Sequence, residues 1–218
     1  MIKRIILALD IDNLYEAEKL IVESENYIDI YKVGMMAFLK FGKDIIKIIE
    51  KNRKKIFLDL KFHDIPNTVK YSVEAARDLG VFSITIHSIG GSEMIKAATS
   101  VYNRPKIWAV SVLTSQQVSS CNEVVKRAEL AKYNGVDGVI ASPLDIVAIK
   151  KKCGNDFAVI TPGIRLNESK CDDQKRIATP EYALKSGASF IIIGRPILKS
   201  KTPIKTLSNI YNDIINIR

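Results

Sequence analysis

Residues 56–69 read IFLDLKFHDIPNTV. The stretch starts as an apolar, β-prone run. It then sets Asp59, Lys61, His63 and Asp64 within six positions, and Pro66 opens a helix-patterned segment. Charges in a buried strand are costly unless they are paired, neutralised or used. Asp59 and Lys61 are two apart, so they lie on one side of an extended chain.

The same order, a strand that ends in polar residues and hands over to a helix, recurs from end to end. The apolar runs are IILALD (5–10), IDIYKVG (28–34), KIFLDL (55–60), FSITIH (82–87), KIWAVSVL (106–113), GVIAS (138–142), FAVIT (157–161) and FIIIG (190–194). The segments between them read as helices, most clearly 13–23, 68–79, 92–101, 123–133 and 204–217. Near-continuous apolar strands separated by helices predict a parallel sheet covered on both faces. Eight such units in 218 residues match an α/β chain folded as a single (β/α)8 TIM barrel over 1–218, near the lower size limit. The main competitor is a doubly wound open sheet. No G-x-G-x-x-G follows the first run, which weakens a dinucleotide-binding version.

Bulk composition narrows the classes. An apolar fraction of 47% is that of a globular protein. No apolar run approaches the roughly 18 residues of a membrane helix. The start, MIKRIILALD, reads as a first strand rather than a signal peptide, because its apolar run is short and meets Asp10 and Asp12. Cys121, Cys153 and Cys171 are far apart and odd in number, which fits a reducing cytoplasm and no disulfide framework. The formal charge of +9 raises nucleic-acid binding. The lysines are scattered, however, without an Arg-rich arm or an aromatic-interleaved basic run. Lysine spread over exposed helix faces explains the charge better, and an anionic small substrate suits it too.

In a barrel the active site lies at the C-terminal strand ends and the loops after them. Those ends carry Asp10, Lys32, Asp59 with Lys61, Asp64 in the following loop, His87, Thr114, Ser142, Thr161-Pro162-Gly163 and Gly194-Arg195. Each has an ordinary structural reading. Asp10, Asp12 and Asn13 are all placed to cap the first helix, and Asp64 to cap the third. Lys32 can snorkel outward, Asp59 and Lys61 can be a buried structural pair, and His87 a satisfied rim histidine. Their convergence on one rim favours chemistry. Gly194 and Arg195 after the eighth strand suit a phosphate. The polar segment 163–178 is longer than ordinary connections, which suits a lid over the site or, as the ordinary reading, plain surface disorder.

These residues resemble the orotidine 5′-phosphate decarboxylase family of the bacterial type, along essentially the whole chain. The most specific motif is DLKFHDIPNT (59–68), similar to that family's D-x-K-x-x-D signature with its trailing I-P-N-T. ALD (8–10), YKVG (31–34), LTS (113–115), TPGIR (161–165), DDQKR (172–176) and IIGRPI (192–197) follow in the family's order. The resemblance implies decarboxylation of orotidine 5′-monophosphate to UMP, the last step of de novo pyrimidine synthesis, with no metal and no cofactor. It implies that Lys61 protonates C6 and that Asp59 lies beside the leaving carboxylate. Lys32 links the charged array to the ribose and Asp10 accepts from the ribose. It implies a homodimer in which Asp64, Ile65 and Thr68 cross into the other subunit's site. Ser142 then reads the pyrimidine amide edge, Pro162 lines the base pocket, and Thr114 lies near the ribose. Gln174 bridges phosphate and base, and Gly194 with Arg195 grips the phosphate. Arg165 matches a family position on the substrate side, and His87 a family position without a chemical step; His63 has no implied role.

Two alternatives stand beside this reading. A Mg2+-dependent sugar-phosphate decarboxylase or synthase of the same superfamily shares D-x-K-x-x-D but typically carries Glu where this chain has Lys32. A non-catalytic phosphate- or nucleic-acid-binding barrel is the other; the intact Asp59, Lys61 and Asp64 set speaks against it.

Overall fold

A computed structural model describes residues 3–113, 121–166 and 176–217. In chain order its elements are β1 (Ile5–Ala8), α1 (Leu14–Glu23), β2 (Ile30–Gly34), α2 (Met35–Phe41), α3 (Lys43–Lys51), β3 (Lys55–Phe62), α4 (Pro66–Asp78), β4 (Ser83–His87) and α5 (Gly91–Thr99). There follow β5 (Lys106–Val110), α6 (Cys121–Tyr133), β6 (Gly138–Ile140), α7 (Ile146–Cys153), β7 (Ala158–Thr161), α8 (Pro180–Lys185), β8 (Phe190–Ile193), α9 (Arg195–Leu198) and α10 (Pro203–Ile214). The strands pair in sequence order, all parallel, and β1 closes on β8 with Ile6 opposite Ile192. The expected (β/α)8 barrel is therefore the fold.

Strand alternation divides the core in two. Ile5, Leu7, Tyr31, Ile84 and Ile191 point outward and pack under the helices. Ile6, Ile30, Phe57, Trp108, Ile140, Ile160 and Ile192 point inward and fill the barrel. The helices supply matching stripes: Ile45, Ile46 and Ile49 on α3, and Leu207, Ile210 and Ile214 on α10, are buried at helical spacing. Inside the barrel Trp108 is the bulkiest filler. Its ring meets Phe57 edge-on at 4.6 Å, and Phe82 and Phe190 lie near 6 Å. The inward positions become polar one step along the same strands: Ile30 gives way to Lys32, and Phe57 to Asp59. The apolar floor thus hands over to charge at the C-terminal mouth.

The structure refines several expectations. Asn13 caps α1, its Oδ1 accepting from Tyr15 N at 2.9 Å and Glu16 N at 3.4 Å. Asp10 is therefore not the cap and is left to the barrel mouth. Ile65, not Asp64, is the cap residue of α4, with no side-chain cap hydrogen bond; Asp64 Oδ1 accepts from the adjacent Ile65 N at 2.6 Å. The stretch after β2 is two helices meeting at Gly42 rather than one. β5 and β6 end at Val110 and Ile140, short of the apolar runs that suggested them, since apolar residues also line the loops at the mouth.

The largest departure is in β3. Phe57 and Leu58 pair with Ser83 and Ile84, but Phe62 pairs with Ile86. β3 thus spends two more residues than β4 over the same length, a bulge. Lys61 sits in it with φ 53°, a backbone region that non-glycine residues rarely occupy. The convergence of Asp59 and Lys61 comes from this bulge as well as from strand alternation. Among the described residues no helix is long and apolar enough to cross a membrane.

Trp108 is 1% exposed and central to the interior. Trp108→Ala should lower unfolding free energy by about 3–5 kcal/mol in urea titration, as buried aromatic truncations do. A loss below about 1 kcal/mol would show that the interior does not depend on this ring.

Candidate active site

The strand ends surround a cavity of about 230 Å3. Its polar wall carries Asp10, Lys32, Asp59, Lys61, Arg165, Gly194 and Arg195, and Pro162 and Gly163 contribute from the β7 side. Its apolar wall is Ala8, Val110, Val112, Leu113, Ile140 and Ile192. A small polar ligand with one flat apolar face fits such a wall.

The charges form a continuous alternating row. Lys32 Nζ lies 3.4 Å from Asp10 Oδ1 and 3.7 Å from Asp59 Oδ2. Lys61 Nζ donates to Asp59 Oδ1 at 2.8 Å. Asp59 and Lys32 side chains are each 11% exposed, so both are largely out of water and depend on each other. Burial alone pushes the Asp59 carboxyl up. Lys32, Lys61 and the hydrogen bonds from Lys61 and Thr85 outweigh it and hold the group below the usual carboxylate range.

Two glycines make room for this row. A Cβ on Gly34 would stand 3.1 Å from Lys32 Nζ and 3.4 Å from Asp10 Oδ1. A Cβ on Gly194 would stand 3.2 Å from the Ala8 Cβ, closing the β8 side of the mouth. The YKVG and IIGRPI motifs therefore carry glycine for close approach at the cavity wall.

The structure brings together eight of the residues singled out in the sequence: Asp10, Lys32, Asp59, Lys61, Pro162, Arg165, Gly194 and Arg195. Ser142 is buried beside the mouth rather than on this wall, and its hydroxyl accepts from Leu144 N at 3.3 Å. Asp64, Ile65 and Thr68 are exposed on the rim outside the cavity. Thr114 and Gln174, and with Gln174 the middle of the 163–178 loop, lie outside the described residues. The ends of that loop are joined: Ile164 bridges Ala178, and Arg165 N donates to Ala178 O at 3.0 Å. His63 and His87 face each other with ring centroids 5.6 Å apart beside Lys61. Burial, then His63 and Lys61, pushes the His87 imidazole below its ordinary value.

Thr85 and the apolar wall residues Val110, Val112 and Ile140 were not singled out from the sequence. Thr85 is fully buried on the inward face of β4 and hydrogen bonds both Asp59 and Lys61. Its signal was its position two before His87, on the same face.

Residues 3–210 match the profile of the Orotidine 5′-phosphate decarboxylase / HUMPS family. The chain belongs to that family. It is 40% identical to the orotidine 5′-phosphate decarboxylase of Trichlorobacter lovleyi, over 97% of this chain and 95% of that one. It is 39% identical to that of Legionella pneumophila, over 98% of this chain and all of the other. The crystal structure of orotidine 5′-phosphate decarboxylase from Lactobacillus acidophilus superposes with a TM-score of 0.81 at 35% identity, covering 97% of this chain and 99% of that one.

Because the Asp59 carboxyl is depressed on folding, its stabilising contribution is complete above the unfolded value of about 4 and is lost as pH falls through the lower folded value. Wild type should therefore lose more stability than Asp59→Asn between about pH 5 and pH 2 in urea titrations. Parallel pH dependences would contradict the ionised, paired Asp59.

Proposed function

We infer that the protein decarboxylates orotidine 5′-monophosphate to UMP and CO2 in pyrimidine biosynthesis, with Lys61 as the acid. The observation that carries this is the alternating row Asp10, Lys32, Asp59, Lys61, set against an apolar wall. Loss of CO2 breaks the C6–carboxylate bond and leaves its electron pair at C6. An ammonium held beside that carbon stabilises the developing charge and then delivers a proton, forming C6–H. Lys61 takes its proton back from solvent as product leaves. Asp59 keeps Lys61 oriented and, in this reading, lies next to the substrate carboxylate. The wall formed by Val110, Val112, Ile140 and Pro162 suits the flat pyrimidine, and Arg195 suits the phosphate. Binding of that remote phosphate supplies energy that can be expressed at C6.

The rival within the family is a sugar-phosphate enzyme that uses Mg2+ and an enediolate. Lys32 argues against it here, because its ammonium lies between Asp10 and Asp59, where a divalent cation would meet like charge. The near-full-length relatives named as decarboxylases point the same way.

The homodimer belongs to this reading, with Asp64, Ile65 and Thr68 serving the partner's site. Support comes from large apolar side chains exposed on segments that leave β2, β3 and β4: Met35, Met36, Leu39, Ile65 and Ile89. Such side chains on one rim mark an interaction surface. The free cysteines Cys121 and Cys153 fit a reducing cytoplasm.

Purified protein should deplete the ultraviolet absorbance of orotidine 5′-monophosphate at a rate unchanged by EDTA. Absence of that turnover, together with Mg2+-dependent turnover of a ketose phosphate, would overturn the assignment. Mixing Lys32→Ala with Asp64→Ala, each inactive alone, should restore about a quarter of wild-type activity, since half the random dimers carry one intact shared site. No recovery on mixing would refute a site built across two subunits.

A further inference from the structure

Thr85 occupies an unusual place in the charged row. Its hydroxyl donates to Asp59 Oδ1 at 2.9 Å, and the same oxygen accepts the Lys61 backbone N–H at 2.9 Å. Lys61 Nζ closes the ring on Asp59 Oδ1 at 2.8 Å. A hydroxyl has one proton and two lone pairs; here the proton serves the carboxylate and a lone pair serves the backbone of the proposed acid. Thr85 is wholly buried, so no water replaces either bond. The Lys61 backbone it holds is the left-handed residue of the β3 bulge. Such a conformation persists only where its surroundings over-determine it.

We propose that Thr85 is a positioning residue for the decarboxylation: by gripping the Lys61 backbone and the Asp59 carboxylate at once, its hydroxyl sets the direction from which Lys61 Nζ meets C6. The proposal deepens the functional reading above and rests on it. Neither contact reaches the substrate, so Thr85 acts through Lys61 and Asp59. An acid displaced by a fraction of an ångström loses much of its effect, which makes a side chain behind the acid a determinant of rate. The hydroxyl also adds to the forces that keep Asp59 ionised.

Thr85→Val keeps the shape and removes the hydroxyl. It should lower kcat about 10- to 100-fold, the size expected for losing a hydrogen bond to a charged group. The Kd for UMP, which lacks the carboxylate, should stay within about threefold. Thr85→Ser, which restores the hydroxyl, should return kcat to within about threefold of wild type. The acid limb of the kcat profile should move to higher pH in Thr85→Val, because Asp59 loses a donor. Combined with Asp59→Asn, the two losses should fall well short of their product.

A Thr85→Val enzyme with wild-type kcat and pH profile overturns the proposal, whatever its melting temperature. So does equal loss in the Ser and Val variants. If Thr85→Val does not fold, Thr85→Ala carries the same expectations without the added methyl. If wild type fails to decarboxylate orotidine 5′-monophosphate, the functional reading falls. The positioning geometry is then still judged by the 13C carboxyl titration of Asp59, which should move up in Thr85→Val; an unmoved titration rejects it.

Discussion

The Asp59 carboxylate stands between two ammonium groups inside a barrel, and most of the local architecture serves that arrangement. Left alone, a carboxylate so far from water takes up a proton. Lys32 and Lys61 keep it ionised, and Asp10 in turn balances Lys32. Removing Asp59 or Lys32 leaves the other as an uncompensated charge in a poorly hydrated place. The row therefore behaves as one unit, and it exists because β1, β2 and β3 are neighbours whose inward residues reach the mouth together.

The closed barrel supplies two further conditions. Trp108 and its aromatic neighbours fill the floor, so charge is confined to the C-terminal end. Val110, Val112, Ile140 and Ile192 make the opposite wall apolar, and the Lys32–Asp59 pair is weakly screened, whereas Asp10 at the end of the row is half exposed to water. The cost of building the site is visible in β3: two extra residues, and a left-handed lysine that Thr85 holds in place.

Much of this was legible beforehand because it rests on period and type. Eight apolar runs joined by helices specify a covered parallel sheet, and of the strand-end residues that pattern names, Asp10, Lys32, Asp59, Lys61, Pro162, Gly163, Gly194 and Arg195 meet at one cavity, while Asp64, His87 and Ser142 stand outside its wall. The motif glycines Gly34 and Gly194 were visible as letters, but their reason, clearance of Lys32 and Ala8, needed coordinates. Helix capping was ambiguous among Asp10, Asp12 and Asn13, since all three side chains are competent; the geometry decided for Asn13. The bulge in β3 left no trace in composition, because Lys61 is not a glycine. Thr85 was hidden for a related reason: threonine is common in strands, and its role depends on a register shift in the neighbouring strand.

The central claim is that Lys61 is the acid and the electrostatic stabiliser of the carbanion. Its most direct test is the turnover of orotidine 5′-monophosphate by Lys61→Ala, with circular dichroism and UMP binding confirming an intact fold and pocket. The account predicts a fall in kcat/KM of at least about 1,000-fold. A folded, UMP-binding Lys61→Ala enzyme within about tenfold of wild type would contradict it.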